Sequence, residues 1–397
     1  MEQGNFKDFN GDIFGQIFSH FGKQFKGFNN GGGPKKKGSF VGFLKWLALA
    51  YIAIAISKFL ASDLILDVSL SAFYIVAPFV VVSVLYGLTH SMKKLPIIGI
   101  VVAILYGVVL FLCSPILNYK AHRDLVGTVD EIEFSNEIEH IDLKQLPTID
   151  TQLAAKLADK KLGEIPSLGS QVTIGELHLQ SIGGQLYYVA PLEHSSLIKW
   201  LTNREGTSGY IKVSATNQND VQLVTELDGK PLKIKYLESS YLLSDLHRAA
   251  FLRDMKSAHT DFTFELDDNG RPYWVVTRYD NAIGITEAKA IGALVIDAQT
   301  GESEIYDIDN MPKWIDRIQP SKFINNYINK WGELVHGVFN FNDKDKLKTT
   351  TGMNLIFNKD ECFYYTGITS VGNDEGLVGF TLTNTRTGKT TMYKKIG

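Results

Sequence analysis

The chain of 397 residues carries many side chains that could do chemistry, but in few productive spacings. Beyond residue 118 lie His122, His140, His178, His194, His247, His259 and His336. No two of them have the H-E-x-x-H spacing that sets a zinc pair on one helical face. Gly367, Ser370 and Gly372 imitate a nucleophile elbow, but one residue too many precedes the serine. Asp267 to Gly270 begin like a calcium loop, yet the twelfth place holds Arg278 where a bidentate Glu is required. A hairpin turn accounts for that stretch better. Cys362 could act as a thiolate with a distant His, but a lone Cys beside aromatic strand residues is more often core. We therefore expect no catalytic residue, no metal site and no cofactor. Two patches stand out for binding. The polar, Gly-rich stretch 366–376 offers Thr366, Ser370, Asp374 and Glu375 to a ligand, or is a solvated hairpin. Tyr273, Trp274, Trp314 and Tyr364 are candidate interface aromatics, since flat rings anchor protein contacts.

These residues are positioned by what precedes them. Three apolar stretches, at about residues 40–61, 68–88 and 95–117, are each long enough to cross about 30 Å of hydrocarbon. Lys35, Lys36 and Lys37 precede the first, and Lys93 and Lys94 sit between the second and third. Positive charge in short loops marks the cytoplasmic side, so the N-terminus is expected inside and residues from about 119 onward outside. Lys120 and Arg123 oppose this weakly. The reading is a membrane α-helical bundle of three transmembrane helices plus extracytoplasmic α+β domains with antiparallel sheets. A transport or channel role would need oligomerisation, and no charge lies near a span centre.

Ahead of the spans, Phe6, Phe9, Phe14, Phe18, Phe21, Phe25 and Phe28 recur at near-helical steps among Lys7, Lys23 and Lys26. This pattern predicts an amphipathic helix on the inner leaflet, with Phe14, Phe18, Phe21 and Phe25 as its membrane-surface residues. A flexible tail, or a helix that docks on a cytoplasmic partner, fits the same residues. Residues 29–33 read as a linker.

After residue 119 the composition becomes globular. Lys and Arg number 40 against 43 Asp and Glu, a net charge of −3, so no nucleic-acid or other strongly charged partner is implied. With Cys113 in a span, Cys362 has no intrachain disulfide partner, and the exported part must be stabilised by its core. Helices are predicted at 151–162, 239–256 and 320–330, each followed by strands. The strand segments recur. Tyr187-Tyr188, Tyr273-Trp274 and Phe363-Tyr364 each begin an aromatic strand. Strands ending near Ser214, Asp297 and Asn384 each run into a tight turn, with Thr-Gly in the last two. They are three related modules, or simply the hairpins of one sheet.

Asp267 to Val276, followed by Leu294 to Glu302, resembles a PepSY module through Asp297, Ala298, Thr300, Gly301 and Glu302. The other copies depart from it, with Ser214 and Asn217 in one, and Asn384 and Lys389 in the other. The layout also resembles bacterial multi-span membrane proteins with exported PepSY-like repeats. The resemblance implies a helix with antiparallel strands, and a role in restraining peptidases or in envelope protein contacts. The expected organisation is 1–38 cytoplasmic helix and linker, 39–118 spans, and modules at 119–235, 236–318 and 319–397. The expected location is a bacterial cytoplasmic membrane. The expected partners are membrane lipid, other envelope or membrane proteins and a second copy of the chain. The function expected is that of a non-enzymatic interaction or assembly component, with an envelope hydrolase using Cys362 or the Gly-rich loop as the alternative.

Overall fold

The structure, a computed structural model, describes residues 38–60, 68–133, 146–358, 361–372 and 376–394. The Phe-rich segment with Phe14, Phe18, Phe21 and Phe25, and the loop residues Asp374 and Glu375, lie outside the described residues. Three helices are long and apolar enough to cross a membrane: α1 (Phe40–Leu60), α2 (Val68–Thr89) and α3 (Lys94–Cys113). At 1.5 Å per residue each is about 30 Å long.

The described residues form two compact bodies. One comprises residues 38–49 and 79–102. Its small core is Phe43, Tyr86 and Leu95. Glycines let its helices approach closely: Gly42 lies against the Tyr86 hydroxyl, and a Cβ on Gly99 would stand 3.0 Å from that of Ser83.

The other body holds residues 50–60, 68–78 and everything from 103 onward. The third apolar stretch does not run unbroken to residue 117. It stops at Cys113, because Pro115 forces Ser114 into an extended conformation (φ −72°, ψ 158°). A new helix, α4 (Pro115–Arg123), follows, with a further kink at Asn118. The freed carbonyls find side-chain donors: Asn118 Nδ2 donates to Leu112 O, and His122 Nε2 donates to Cys113 O at 2.8 Å. Buried His122 also lies 3.3 Å from Glu287, which pairs with Lys330.

Beyond α4 come a 3-10 turn (Asp124–Val126), β1 (Val129–Glu133), α5 (Thr151–Gly163), α6 (Pro166–Gly169), β2 (Val172–Ile174), β3 (His178–Ile182) and β4 (Gln185–His194). Then follow α7 (Leu197–Thr202), β5 (Tyr210–Ser214), β6 (Val221–Val224), β7 (Glu226–Leu227), β8 (Lys230–Pro231) and α8 (Leu246–Arg253). The second sheet is β9 (Ala258–Leu266), β10 (Pro272–Ile283), β11 (Thr286–Asp297) and β12 (Ser303–Asp307). Last are α9 (Ser321–Glu333), β13 (Leu347–Thr349), β14 (Asn354–Asn358), β15 (Glu361–Ser370), β16 (Leu377–Asn384) and β17 (Thr390–Lys394).

Three times a helix is followed by an antiparallel meander: β3–β4–β5–β6, β9–β10–β11–β12 and β14–β15–β16–β17. The modules agree in register. Tyr187 pairs with Ser214, Tyr273 with Asp297, and Phe363 with Asn384. The carbonyl of the residue that follows each of these turn positions, on Ala215, Ala298 or Thr385, accepts two successive backbone N–H groups. The donors are Thr148 and Ile149, Lys235 and Tyr236, and Ile318 and Gln319. Each donor pair lies just before its module's helical segment.

Two expectations change. β1 pairs in parallel with β17, so it belongs to the third sheet and not to the first module. The second helix is much shorter than 239–256. Leu242–Ser244 form a 3-10 turn, and Asp245 then caps α8 by accepting from Arg248 N at 2.9 Å. The first module's helix matches its predicted start, with Asp150 accepting from Leu153 N at 2.7 Å.

Candidate functional site

A cavity of about 210 Å³ lies between the end of β4 and the start of β3. Glu176, His178, Glu193, His194, Glu238, Ser239 and Trp274 line it. Gly175 opens the wall: a Cβ there would stand 3.0 Å from Pro191 and 3.1 Å from Glu193. The strap after β8 closes the other side. Ser239 donates from its backbone N to Glu193 Oε2 at 3.0 Å and from its hydroxyl to the same oxygen, while Ser239 Oγ accepts from His194 N at 2.8 Å.

Burial governs the charges here. It pushes the Glu193 carboxyl up to about 7, and the two Ser239 hydrogen bonds only partly offset it. His178 is driven down to about 3 by burial and then by the Arg317 charge, so it is neutral near neutrality. Burial also lowers His194 and raises Glu238. The site thus presents neutral imidazoles and a carboxyl poised between states. It can donate and accept hydrogen bonds to a small polar molecule, but no Cys or activated Ser faces it. Among the described residues no group of three or more His, Cys, Asp and Glu is placed to hold a metal ion.

Of the sequence-derived candidates among the described residues, Trp274 alone lines this cavity. Trp274 and Tyr364 are buried, at 2% and 3% exposure, which corrects their assignment as surface anchors. Each serves the joint of its own module. Trp274 Nε1 donates to Tyr236 O at 2.7 Å, and Tyr364 Oη donates to Gln319 O at 3.0 Å. Tyr188 does the same in the first module, donating to Ile149 O at 2.9 Å. The aromatic therefore satisfies a buried carbonyl that the docked segment would otherwise leave unpaired. Tyr273 and Trp314 stay partly exposed and stack at 5.2 Å. Thr366 is buried and donates to Gly352 O at 3.1 Å, so it is not open to a ligand. Ser370 is partly buried at the end of β15, its N donating to Gly376 O at 3.3 Å.

Cys362 is 1% exposed, and burial, then the Asp316 charge, pushes its thiol well above the usual range. That is the opposite of an activated thiolate. It lies beside a polar seam that ties the three sheets together. Gln180 donates to Leu266 O at 2.7 Å and accepts from Leu266 N at 2.9 Å. Asp316 accepts from Ser181 N at 2.7 Å, and its carbonyl accepts from Thr385 Oγ1 at 2.6 Å. Glu265, within the seam, is raised to about 8 by burial and then by Asp316.

Sequence reasoning missed the cavity. The signal present was the pair Glu193-His194 ending an otherwise apolar strand, two ionisable residues where burial is costly. No family model matches the chain, and no curated protein or solved structure is similar to it.

Proposed function

We propose that this chain is a non-enzymatic protein-interaction component anchored in a bacterial cytoplasmic membrane. Its N-terminus is cytoplasmic and its three PepSY-like modules are extracytoplasmic repeats that present a docking face to another envelope protein. The charge of the loops flanking the spans supports that orientation. The shared register and the shared carbonyl joint support the repeat. The observation that carries the interaction reading is an apolar patch on the head. Ile198 (70% exposed) and Leu201 on α7, and Leu242 and Leu243 (67%) after it, are all exposed, and the two segments are joined where Trp200 packs on Tyr241 with ring centroids 5.3 Å apart. Leu242 is held at φ +57°, a conformation that costs about 1 kcal/mol or more for a residue with a Cβ. Strain kept to display an apolar side chain supports a contact use.

A photo-crosslinking residue at Leu243, compared with one at exposed Lys230 at the start of β8, tests this in native membranes. A discrete adduct with a second protein at Leu243 alone, lost in Ile198→Asp, supports the reading. Equal labelling at both positions, or none at Leu243, Ile198 or Leu201, contradicts it. The hydrolase reading has little support, since Cys362 and Thr366 are both committed to the core.

A further inference from the structure

We propose that the loop from Gly337 to Asp345 rests in the lipid headgroup layer of the leaflet where α3 ends, with Phe339 and Phe341 as its lipid contacts. Among the described residues no large apolar side chain is more exposed than these two, at 71% and 83%. They lie edge to face, 6.0 Å apart.

The loop is built to hold them out. Asn340, between them, is buried; its Nδ2 donates to Lys344 O at 2.8 Å and its Oδ1 accepts from Lys344 N at 3.2 Å. Lys346 closes on Asp343 at 2.7 Å, and His336 on Asp345 at 2.8 Å. A preformed loop loses little conformational entropy when its tip is buried.

Its height relative to the end of α3 names the occupant. Gly337 turns with φ +79° against the Tyr119 ring, where a Cβ would stand 3.7 Å away. Ile116 and Leu117 are still 47% and 49% exposed, so the apolar surface of the stem continues to residue 117. Tyr119 is two residues further, about 3 Å at helical rise. The polar layer on each side of the hydrocarbon is about 5–8 Å thick, and aromatic side chains concentrate there. The placement is fixed by packing: Val126 shares a core with Ile324, Tyr327 and Ile328 of α9, and Gly284 at the β10–β11 turn lies against the Cys113 sulfur. Exposed Lys344 beside the two rings can meet lipid phosphate.

The proposal rests on α1–α3 spanning the bilayer, and its test separates the two. A nitroxide is placed at Phe341→Cys in the full chain, in a Cys113→Ala background, in nanodiscs of phosphatidylethanolamine and phosphatidylglycerol. Leu105→Cys in mid-α3 and Lys230→Cys in the head are the controls. The expected result is a collision ratio of oxygen to a water-soluble nickel chelate lying between those of the two controls. A Phe341 reading equal to that of Lys230, with Leu105 in lipid, overturns the loop's placement alone. Exclusion of both relaxants with spin–spin broadening also overturns it, since a second copy would then cover the loop. A water-like reading at Leu105 overturns the spanning reading and the proposal with it.

Discussion

The first and second modules make the same joint from different side chains. In the second, Asp297 accepts from Gln299 N and Thr300 N, both at 2.8 Å, and is also paired with Arg271. In the first, Ser214 Oγ accepts from Thr216 N at 3.3 Å and Asn217 N at 3.1 Å, and a neutral hydroxyl cannot form an ion pair. The third is intermediate, with Asn384 Oδ1 accepting from Arg386 N at 3.0 Å and Thr387 N at 2.9 Å. An acid, an amide and a hydroxyl in one geometric role mean that the position needs an acceptor for turn N–H groups. The aromatic partner varies likewise, as Tyr188, Trp274 and Tyr364, and needs only a donor at the end of an apolar ring.

The comparison can be broken by substitution. The largest effect is expected from Trp274→Ala, which empties a core site and strips the Tyr236 carbonyl of its donor. It should destabilise the head by about 3–5 kcal/mol in urea unfolding of the full chain. Asp297→Ala should cost about 2 kcal/mol, against about 1 kcal/mol for Ser214→Ala, because only the first also loses an ion pair, to a partly exposed Arg271. Asp297→Asn should recover the turn's share, about 1 kcal/mol, since the third module already uses an amide there, and leave the ion pair's share lost. If Asp297→Asn were as damaging as Asp297→Ala, the carboxylate would have a role beyond the turn and the ion pair. The smallest effect is expected for Tyr364→Phe, about 1 kcal/mol, read in the same titration.

A pH series sharpens the contrast between the cavity and the joints. Glu193 has its folded value raised to about 7 from an ordinary 4.5. Its contribution to stability is therefore fully present below pH 4.5 and is lost as pH rises toward 7. Over that window it lowers stability by at most about 1.4 kcal/mol per pH unit. Glu193→Gln should remove this share and leave that of Glu265, which is raised to about 8, whereas Ser214→Ala should shift the whole curve without changing its shape.

Much of the architecture was legible because its signals are local. Runs of apolar residues set the lengths of α1 and α2, and Asp150 marked the start of α5. The turn residues at Asp297 and Asn384 were visible because positive φ at Gly301 and Gly388 leaves few alternatives. The break at Ser114 was written in Pro115 but hidden by the apolar residues on both sides. β1 was misplaced because its partner β17 lies at the far end of the chain, and a parallel pairing leaves no turn signal between them. Trp274 and Tyr364 were recognisable as aromatic strand residues. That their polar ends serve carbonyls of the segment before the helix depends on tertiary register, which side-chain type does not encode. The cavity was invisible for the same reason: Glu193 and Ser239 meet only once the strap from 235 to 240 has docked.

The proposal that the modules are extracytoplasmic is tested most directly by labelling single cysteines in intact cells with a membrane-impermeant maleimide, in a Cys113→Ala background. Lys230→Cys in the head should react without permeabilisation, and Lys93→Cys between α2 and α3 only after it. The reverse pattern would place the three modules in the cytoplasm and contradict the account.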